Sequence, residues 1–320
     1  MTRSANTVEE EEIISLIWKR IRRPHGKDPF DDDVAWVLNR PTKCIVEKAD
    51  MLVAATDCPK QMTPSQIARK SITSCVSDFA AKGVMPTYCI VSIGLPKKLA
   101  TRQYVTGLGD GFSKAQKRYG VEIIAGDMNA TANDVVIDCS LFGFSDSVVR
   151  RNGAKPGDLV GVTGPFGHQN AGLSLLLDKA TSKDFEFRKR ALYSVLEPVA
   201  RLETGTEIAP YLSSSIDSSD GLALSLYHLA ESSRVSIEVD NLPVSKGLES
   251  FAKANSKNVS DLVLFGGEEY EIVCTFDPKH RSLLKRYGIT IIGVVAQGRP
   301  SVLFDGNEIP RRGWLHFPVS

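Results

Sequence analysis

Apolar and polar positions along the first third of the chain follow two different periods. Over residues 8–22, Ile13, Ile14, Leu16, Ile17 and Ile21 recur among charges at helical spacing, which predicts an amphipathic helix against a core edge. The RRPHGKDPFDDD stretch that follows reads as a loop. Short apolar runs then predict strands over 44–46, 51–55, 88–94, 121–125 and 135–144. Among them stands a helix with both ends marked. Thr63 and Gln66 form a capping-box pair and Pro64 suits the first helical position. Ile67, Ile72, Cys75, Val76 and Phe79 make its buried face, and Gly83 with Pro86 ends it.

The stretch SVVRRNGAKPGD, residues 147–158, is a turn-rich break between two halves, 1–148 and 149–320. Beyond it the pattern predicts a strand over 159–162, helices over 171–177 and 185–196, and a strand running into Asp217. A helix over 222–232 and strands over 236–239, 270–275 and 289–295 follow. Mixed α/β structure in two domains is the expected class.

Composition narrows the function. An apolar fraction of 42% and a charged fraction of 24% over 320 residues are those of an ordinary globular protein with a real core. Lys and Arg number 39 against 38 Asp and Glu, so the formal charge of +1 gives no electrostatic reason to expect nucleic acid or an anionic membrane. No apolar run approaches the roughly 18 residues of a membrane helix, and MTRSANTVEEEEII has no apolar leader, so a cytoplasmic protein with a small-molecule substrate is expected. Cys44, Cys58, Cys75, Cys89, Cys139 and Cys274 are scattered, with no closely spaced pair, and read as reduced residues in or near the core.

Familiar nucleotide loops, nucleophile elbows and zinc helices are absent. The glycine-rich GPFGHQNAG, residues 164–172, lacks a lysine and reads as a strand-to-helix turn. The five histidines have no ligand-like spacing. Aspartate is what remains, in turns at FDDDVAWV (30–37), ATDCP (55–59), AGDMNA (125–130) and IDSSDGL (216–222), with Asp78 on the capped helix and FGGEEYEI (265–272) further on. Mg2+ takes hard oxygen ligands, usually one or two carboxylates completed by water and substrate phosphates, and distant aspartates at strand ends can supply them. If Asp32 or Asp33, Asp57, Asp78, Asp127 and Asp217 converge, carboxylates about 5 Å apart repel by roughly 3 kcal/mol per pair at an effective dielectric near 20. Only bound cations or raised pKa values make such a cluster tolerable.

Each feature also has an ordinary reading. Asp78 lies toward the carboxyl end of its helix, where the macrodipole disfavours an anion, and Lys70 or Lys82 could pair with it there. Asp220, Gly221 and Ser219 make a normal helix start. Strand alternation puts Glu268 on the face of Tyr270, Ile272 and Cys274, with Glu269 and Glu271 on the opposite, solvated face.

Taken in order along nearly the whole chain, these motifs resemble the thiamine-monophosphate kinase family of the aminoimidazole-ribonucleotide-synthetase-like superfamily. That family reads approximately GDDAA, TD, SDIAAMGA, GGDT, RxGAxPGD, DxSDGL, GGEDYEL and GWxHF. This chain reads DDDVA, ATDCP, SDFAAKGV, AGDMN, RNGAKPGD, DSSDGL, GGEEYEI and GWLHF. The resemblance implies a two-domain α/β (α+β) fold whose N-terminal sheet pairs across a homodimer and whose C-terminal half is an α/β sandwich. In that scheme 1–148 would bind ATP and Mg2+ and dimerise, and 149–320 would complete the nucleotide and substrate site. It further implies phosphorylation of thiamine monophosphate by ATP, with K+ as a further candidate cation.

By position, Asp32 or Asp33, Thr56, Asp57, Asp78, Asp127, Asp217 and Asp220 would serve the metals. Gly126, Asp127, Arg151 and Ser219 would contact the nucleotide, with Asp217 and Arg151 closest to the chemistry. Glu268 or Glu269 and Trp314 would face the thiamine moiety. There are departures: TDCPKQMTP lacks the family's histidine near the substrate, AGDMN replaces GGDT beside the nucleotide, and Lys82 stands where the family has methionine. Another small phosphorylated substrate of the same superfamily, or a nucleotide-binding relative without catalysis, are the alternatives.

Overall fold

The Thr63 side chain accepts from the Gln66 amide and the Gln66 side chain accepts from the Thr63 amide, so helix α1 (Pro64–Lys82) begins where the capping pair predicts. It ends at Gly83, whose φ of 69° is a left-handed conformation that glycine adopts without a Cβ penalty. The computed structural model describes residues 35–40 and 43–315. The helix expected over 8–22, the acidic pair Asp32 and Asp33, and His316 and Phe317 of the terminal motif lie outside the described residues.

Two sheets flank α1. The first holds β1 (Ala35–Arg40), β2 (Lys43–Val53), β3 (Pro86–Pro96), β4 (Glu122–Thr131) and β5 (Val136–Ser145) in the order β1-β2-β5-β3-β4. Its pairs are antiparallel except β3 with β4, which are parallel and connected through helix α2 (Arg102–Tyr119). The two runs expected over 44–46 and 51–55 are one strand. Its polar middle alternates like the rest, so Lys48 and Asp50 share the inward face with Val46 and Leu52. Sequence reading misses α2 because its buried stripe is only Leu108, Gly111, Ala115 and Tyr119, half of it small residues.

The second sheet holds β6 (Leu159–Val162), β7 (Ser214–Asp217), β8 (Ser236–Val239), β9 (Ile272–Phe276), β10 (Thr290–Ala296), β11 (Ser301–Phe304) and β12 (Asn307–Glu308), ordered β12-β11-β8-β10-β6-β9-β7. Around it run α3 (His168–Leu177), α4 (Phe185–Leu196), α5 (Leu202–Ile208), α6 (Leu222–Ser233), α7 (Leu248–Ala254), α8 (Val259–Leu264) and α9 (Arg281–Arg286). Strand β9 is buried on both faces. Ile272, Cys274 and Phe276 join the core built around α1, whereas Val273 joins a second core with α6. The first core thus spans both sheets, with Ala200, Leu202 and Ile208 packed among residues of the N-terminal half.

The opposite face of the first sheet is open to solvent. A row across it reads Met51, Asp138, Ser92 and Asp127, and Phe144 also stands exposed on that face. All six cysteines are free thiols, four of them buried. Among the described residues, no helix is long and apolar enough to cross a membrane.

Candidate functional site

Lys70, Ser74 and Asp78 recur every four residues along α1 and line one wall of a cleft of about 1120 Å³. Eight helical residues at 1.5 Å each put Lys70 and Asp78 about 12 Å apart along the axis. The cleft therefore has two ends of different chemistry.

The first end is acidic. Asp78 is 6% exposed and Asp217, at the end of β7, is 4% exposed, and both line the cleft with Asp50, Ser219 and Asp220. The partner of Asp78 is neither Lys70 nor Lys82, the two expected from α1 itself, but Lys48 of β2, whose Nζ lies 3.0 Å from Asp78 Oδ2. Burial pushes the Asp78 carboxyl well above the usual carboxylate range. The Lys48 ammonium opposes this, and the Asp217 and Asp50 carboxylates add to it. For Lys48 burial pulls downward, but the Asp78 and Asp50 carboxylates outweigh it and the ammonium is raised. Asp217 accepts from the Ser77 hydroxyl at 2.8 Å. Burial raises its carboxyl, against that hydrogen bond and the positive charges of Lys48 and Arg151, while Asp220 adds to the rise. His228 of α6 lines the same end. Burial, then Arg151 and Arg311, hold its imidazole down at about 4, so it is neutral at pH 7.

The second end combines a held carboxylate with apolar walls. Lys70, 1% exposed, donates to the Asp57 carbonyl and lies 2.5 Å from Glu268 Oε1, while the buried Gln169 amide donates to Glu268 Oε2 at 2.9 Å. Cys58, Pro59 and, from α3, Leu173, Leu176 and Leu177 also line the cleft, as does Trp314, 49% exposed. The Trp314 amide donates to the Asp220 carbonyl at 3.0 Å, so the terminal segment crosses the IDSSDGL turn.

Glu269 and Glu271 are not the solvated pair that strand alternation suggests. Glu268 and Tyr270 take positive φ of 59° and 52°, which breaks the alternation, and β9 begins only at Ile272. Glu269 turns inward and accepts from the Gly167 and Gln169 amides at the start of α3. Burial pushes it up to about 8 against those bonds. Glu271 is buried against Arg201 and accepts from Thr163 at 2.6 Å. A Cβ at Gly164 would overlap its carboxylate oxygens, so a side chain there would have to push Glu271 aside.

The other expected residues divide. Thr56 and Asp57 line the cleft, but the Asp57 carboxylate accepts from the Val53 amide at 2.7 Å and the Thr56 hydroxyl at 2.8 Å within its own turn. Seven residues earlier, Asp50 is the carboxylate of this segment that acts on Asp78. Sequence reading missed it, although a charged residue at an inward position between Val46 and Leu52 was the available signal. Arg151 sits in the turn Arg151–Gly153, close enough to pull Asp217 downward. Gly126 and Asp127 lie on exposed β4 and do not line the cleft.

Among the described residues, no three His, Cys, Asp or Glu side chains are arranged to hold a metal ion on their own. The donor set nonetheless suits Mg2+. It is made of hard oxygens, and the buried Asp78 and Asp217 carry a mutual repulsion that a cation would relieve.

Residues 31–145 match the family described as AIR synthase related protein, N-terminal domain. The chain is 40% identical over 319 residues to a thiamine-monophosphate kinase of Nitrosopumilus maritimus, covering 97% of this chain and 99% of the relative. It is 35% identical over 314 residues to one of Pyrococcus horikoshii, covering 97% and 96%. Its fold is similar to a solved structure described as AaThiL complexed with AMPPCP and TMP, with a TM-score of 0.88, 30% identity and coverage of 99% and 100%. The thiamine monophosphate kinase structure from Aquifex aeolicus superposes at a TM-score of 0.82, with 30% identity over 94% of this chain and 99% of that one.

Proposed function

This chain belongs to the thiamine-monophosphate kinase family, and on that premise we propose that its cleft joins ATP at the acidic end to thiamine monophosphate at the Glu268 end. The reaction is ATP-dependent phosphorylation of thiamine monophosphate to thiamine diphosphate. The observation that carries the placement is the stripe of Lys70, Ser74 and Asp78 along one helix. Its length of about 12 Å suits two phosphate groups meeting between a metal end and a ring-binding end.

Asp78, Asp217 and Asp220 are the proposed Mg2+ ligands, joined by Asp50, with Thr56 and Asp57 at the turn beside them. The resemblance adds Asp32 and Asp33, and it alone carries K+. Mg2+ bound there would neutralise phosphate charge. Ser219 and the Arg151 guanidinium fork would contact the nucleotide phosphates. The acceptor phosphate is already an anion at neutral pH, so its oxygen can attack the γ-phosphorus in line with no strong base. What the chain supplies is alignment: Glu268, fixed by Lys70 and Gln169, beside the cationic thiamine moiety, and Trp314 against an aromatic ring. Glu269, turned toward the amides at the start of α3, is left out of the substrate contacts.

The proposed division is 1–148 for ATP and Mg2+ binding and dimerisation, and 149–320 for completing the nucleotide and substrate site. The open face of the first sheet, with Met51, Phe144 and Asp127, supports a homodimer built on that face. A second copy there would bring a partner surface to Gly126 and Asp127, which the proposal keeps as nucleotide contacts. The six free thiols support a cytoplasmic location. Incubation of the purified protein with Mg2+-ATP and thiamine monophosphate tests the activity, with thiamine diphosphate and ADP as expected products. Absence of both at micromolar enzyme refutes it, and ATP binding in the same sample then separates a different acceptor from an inactive site.

A further inference from the structure

The acidic end of the cleft already contains one cation. Lys48 reaches from β2 to within 3.0 Å of Asp78 Oδ2, and Asp50 lies two residues along the same inward face of that strand. Four carboxylates, Asp50, Asp78, Asp217 and Asp220, line this end. An ammonium hydrogen-bonded to a carboxylate oxygen and a divalent ion bonded to it at about 2 Å compete for the same lone pairs. The Lys48 side chain is a quarter exposed on a flexible stem, so its ammonium can leave without unpacking the core.

We infer that Lys48 is a tethered counter-ion, which neutralises Asp78 in the empty cleft and must be displaced before a divalent cation can use that carboxylate. This rests on the placement of metals at Asp78 proposed above. Lys48 is a positioning residue in this role, setting how tightly the cleft binds metal before nucleotide arrives. The charge on Lys48, rather than its bulk, is what opposes the metal.

The test is a titration with Mn2+ in the absence of nucleotide, following loss of the free-ion electron paramagnetic resonance signal. Wild type is compared with Lys48→Met, Lys48→Gln and Lys48→Arg, each checked for native circular dichroism. The charge-free variants are expected to bind Mn2+ at least tenfold more tightly than wild type, or to bind one ion where wild type binds none. Lys48→Arg is expected to behave as wild type. Lys48→Gln keeps a hydrogen bond to Asp78 and serves if the methionine variant fails to fold. Equal Mn2+ binding by wild type and the charge-free variants, including no binding by any of them, overturns the inference. Because no substrate is present, that result is independent of the kinase assay, which wild type passes or fails on its own.

Discussion

Asp217→Asn separates a catalytic carboxylate from a structural one. The substitution keeps the shape of a side chain that is almost fully buried, and the amide oxygen can still accept from Ser77. What it removes is a negative charge held beside Asp78 and Asp220. Turnover is expected to fall at least a hundredfold, or about 2.7 kcal/mol of transition-state stabilisation. Stability should move the other way. Two carboxylates about 5 Å apart repel by roughly 3 kcal/mol at an effective dielectric near 20. Burial and the neighbouring carboxylates raise both carboxyls, and a neutral amide at 217 is relieved of that repulsion, so the melting temperature is expected to rise. ADP release at saturating Mg2+-ATP and thiamine monophosphate measures the first effect, and calorimetry in a chelator measures the second. Turnover within tenfold of wild type would remove Asp217 from the phosphoryl-transfer site. A melting temperature several degrees lower would show that the Ser77 bond outweighs the repulsion.

Trp314→Ala should raise the KM for thiamine monophosphate at least tenfold and leave the KM for ATP unchanged, since the ring lines the cleft and is proposed to face the acceptor; equal changes in both would place it elsewhere. Glu269→Gln tests a pH effect. Its folded pKa of about 8 lies above the ordinary carboxylate value of 4.5, so the native state holds a proton that the unfolded chain has released, and stability contributed by this group is lost as pH rises across that window. The glutamine variant should gain in melting temperature relative to wild type between pH 6 and pH 9, and a constant difference would refute the assignment. The proposed homodimer is tested by Phe144→Lys, on the open face of the first sheet, which should sediment as a monomer where wild type sediments as a dimer, with circular dichroism intact; equal sedimentation of the two would refute an interface on that face.

Local chemistry explains which parts of the fold are legible in the sequence. The start of α1 is written in Thr63, Pro64 and Gln66 and its end in Gly83, and both hold without reference to the rest of the chain. Helix α2 is not written so plainly, because it buries small residues against α1 rather than an aliphatic stripe. Within the cleft, the acidic turns of the C-terminal half and Asp78 were visible as motifs in order. Lys48 and Asp50 were hidden because two charges in the middle of an apolar run look like a break between strands. In the folded chain they are the inward-facing centre of one strand, where Lys48 pairs with Asp78 and Asp50 lines the same acidic end of the cleft. At 268 and 270 the alternation rule failed for a different reason. Its premise is extended backbone, and both residues are left-handed, so Glu269 and Glu271 point into the structure instead of out of it.

Neither charge that α1 presents to the cleft is compensated within the helix. Asp78 stands one turn from the carboxyl end, where the macrodipole disfavours an anion, and Lys70 lies in the helix interior. Both are compensated from other elements, Asp78 by Lys48 of β2 and Lys70 by Glu268 of the C-terminal half. Removing either partner leaves a nearly buried charge on α1 without its counter-charge, so the pattern is satisfied only while the surrounding elements are assembled. The helix therefore carries charges that are satisfied only when β2 and the C-terminal half are packed against it. Lys70 couples the Asp57 turn, the α1 wall and the Glu268 loop through a single ammonium. The acceptor end is thus fixed relative to the acidic end by α1 itself, the alignment on which phosphoryl transfer without a strong base depends.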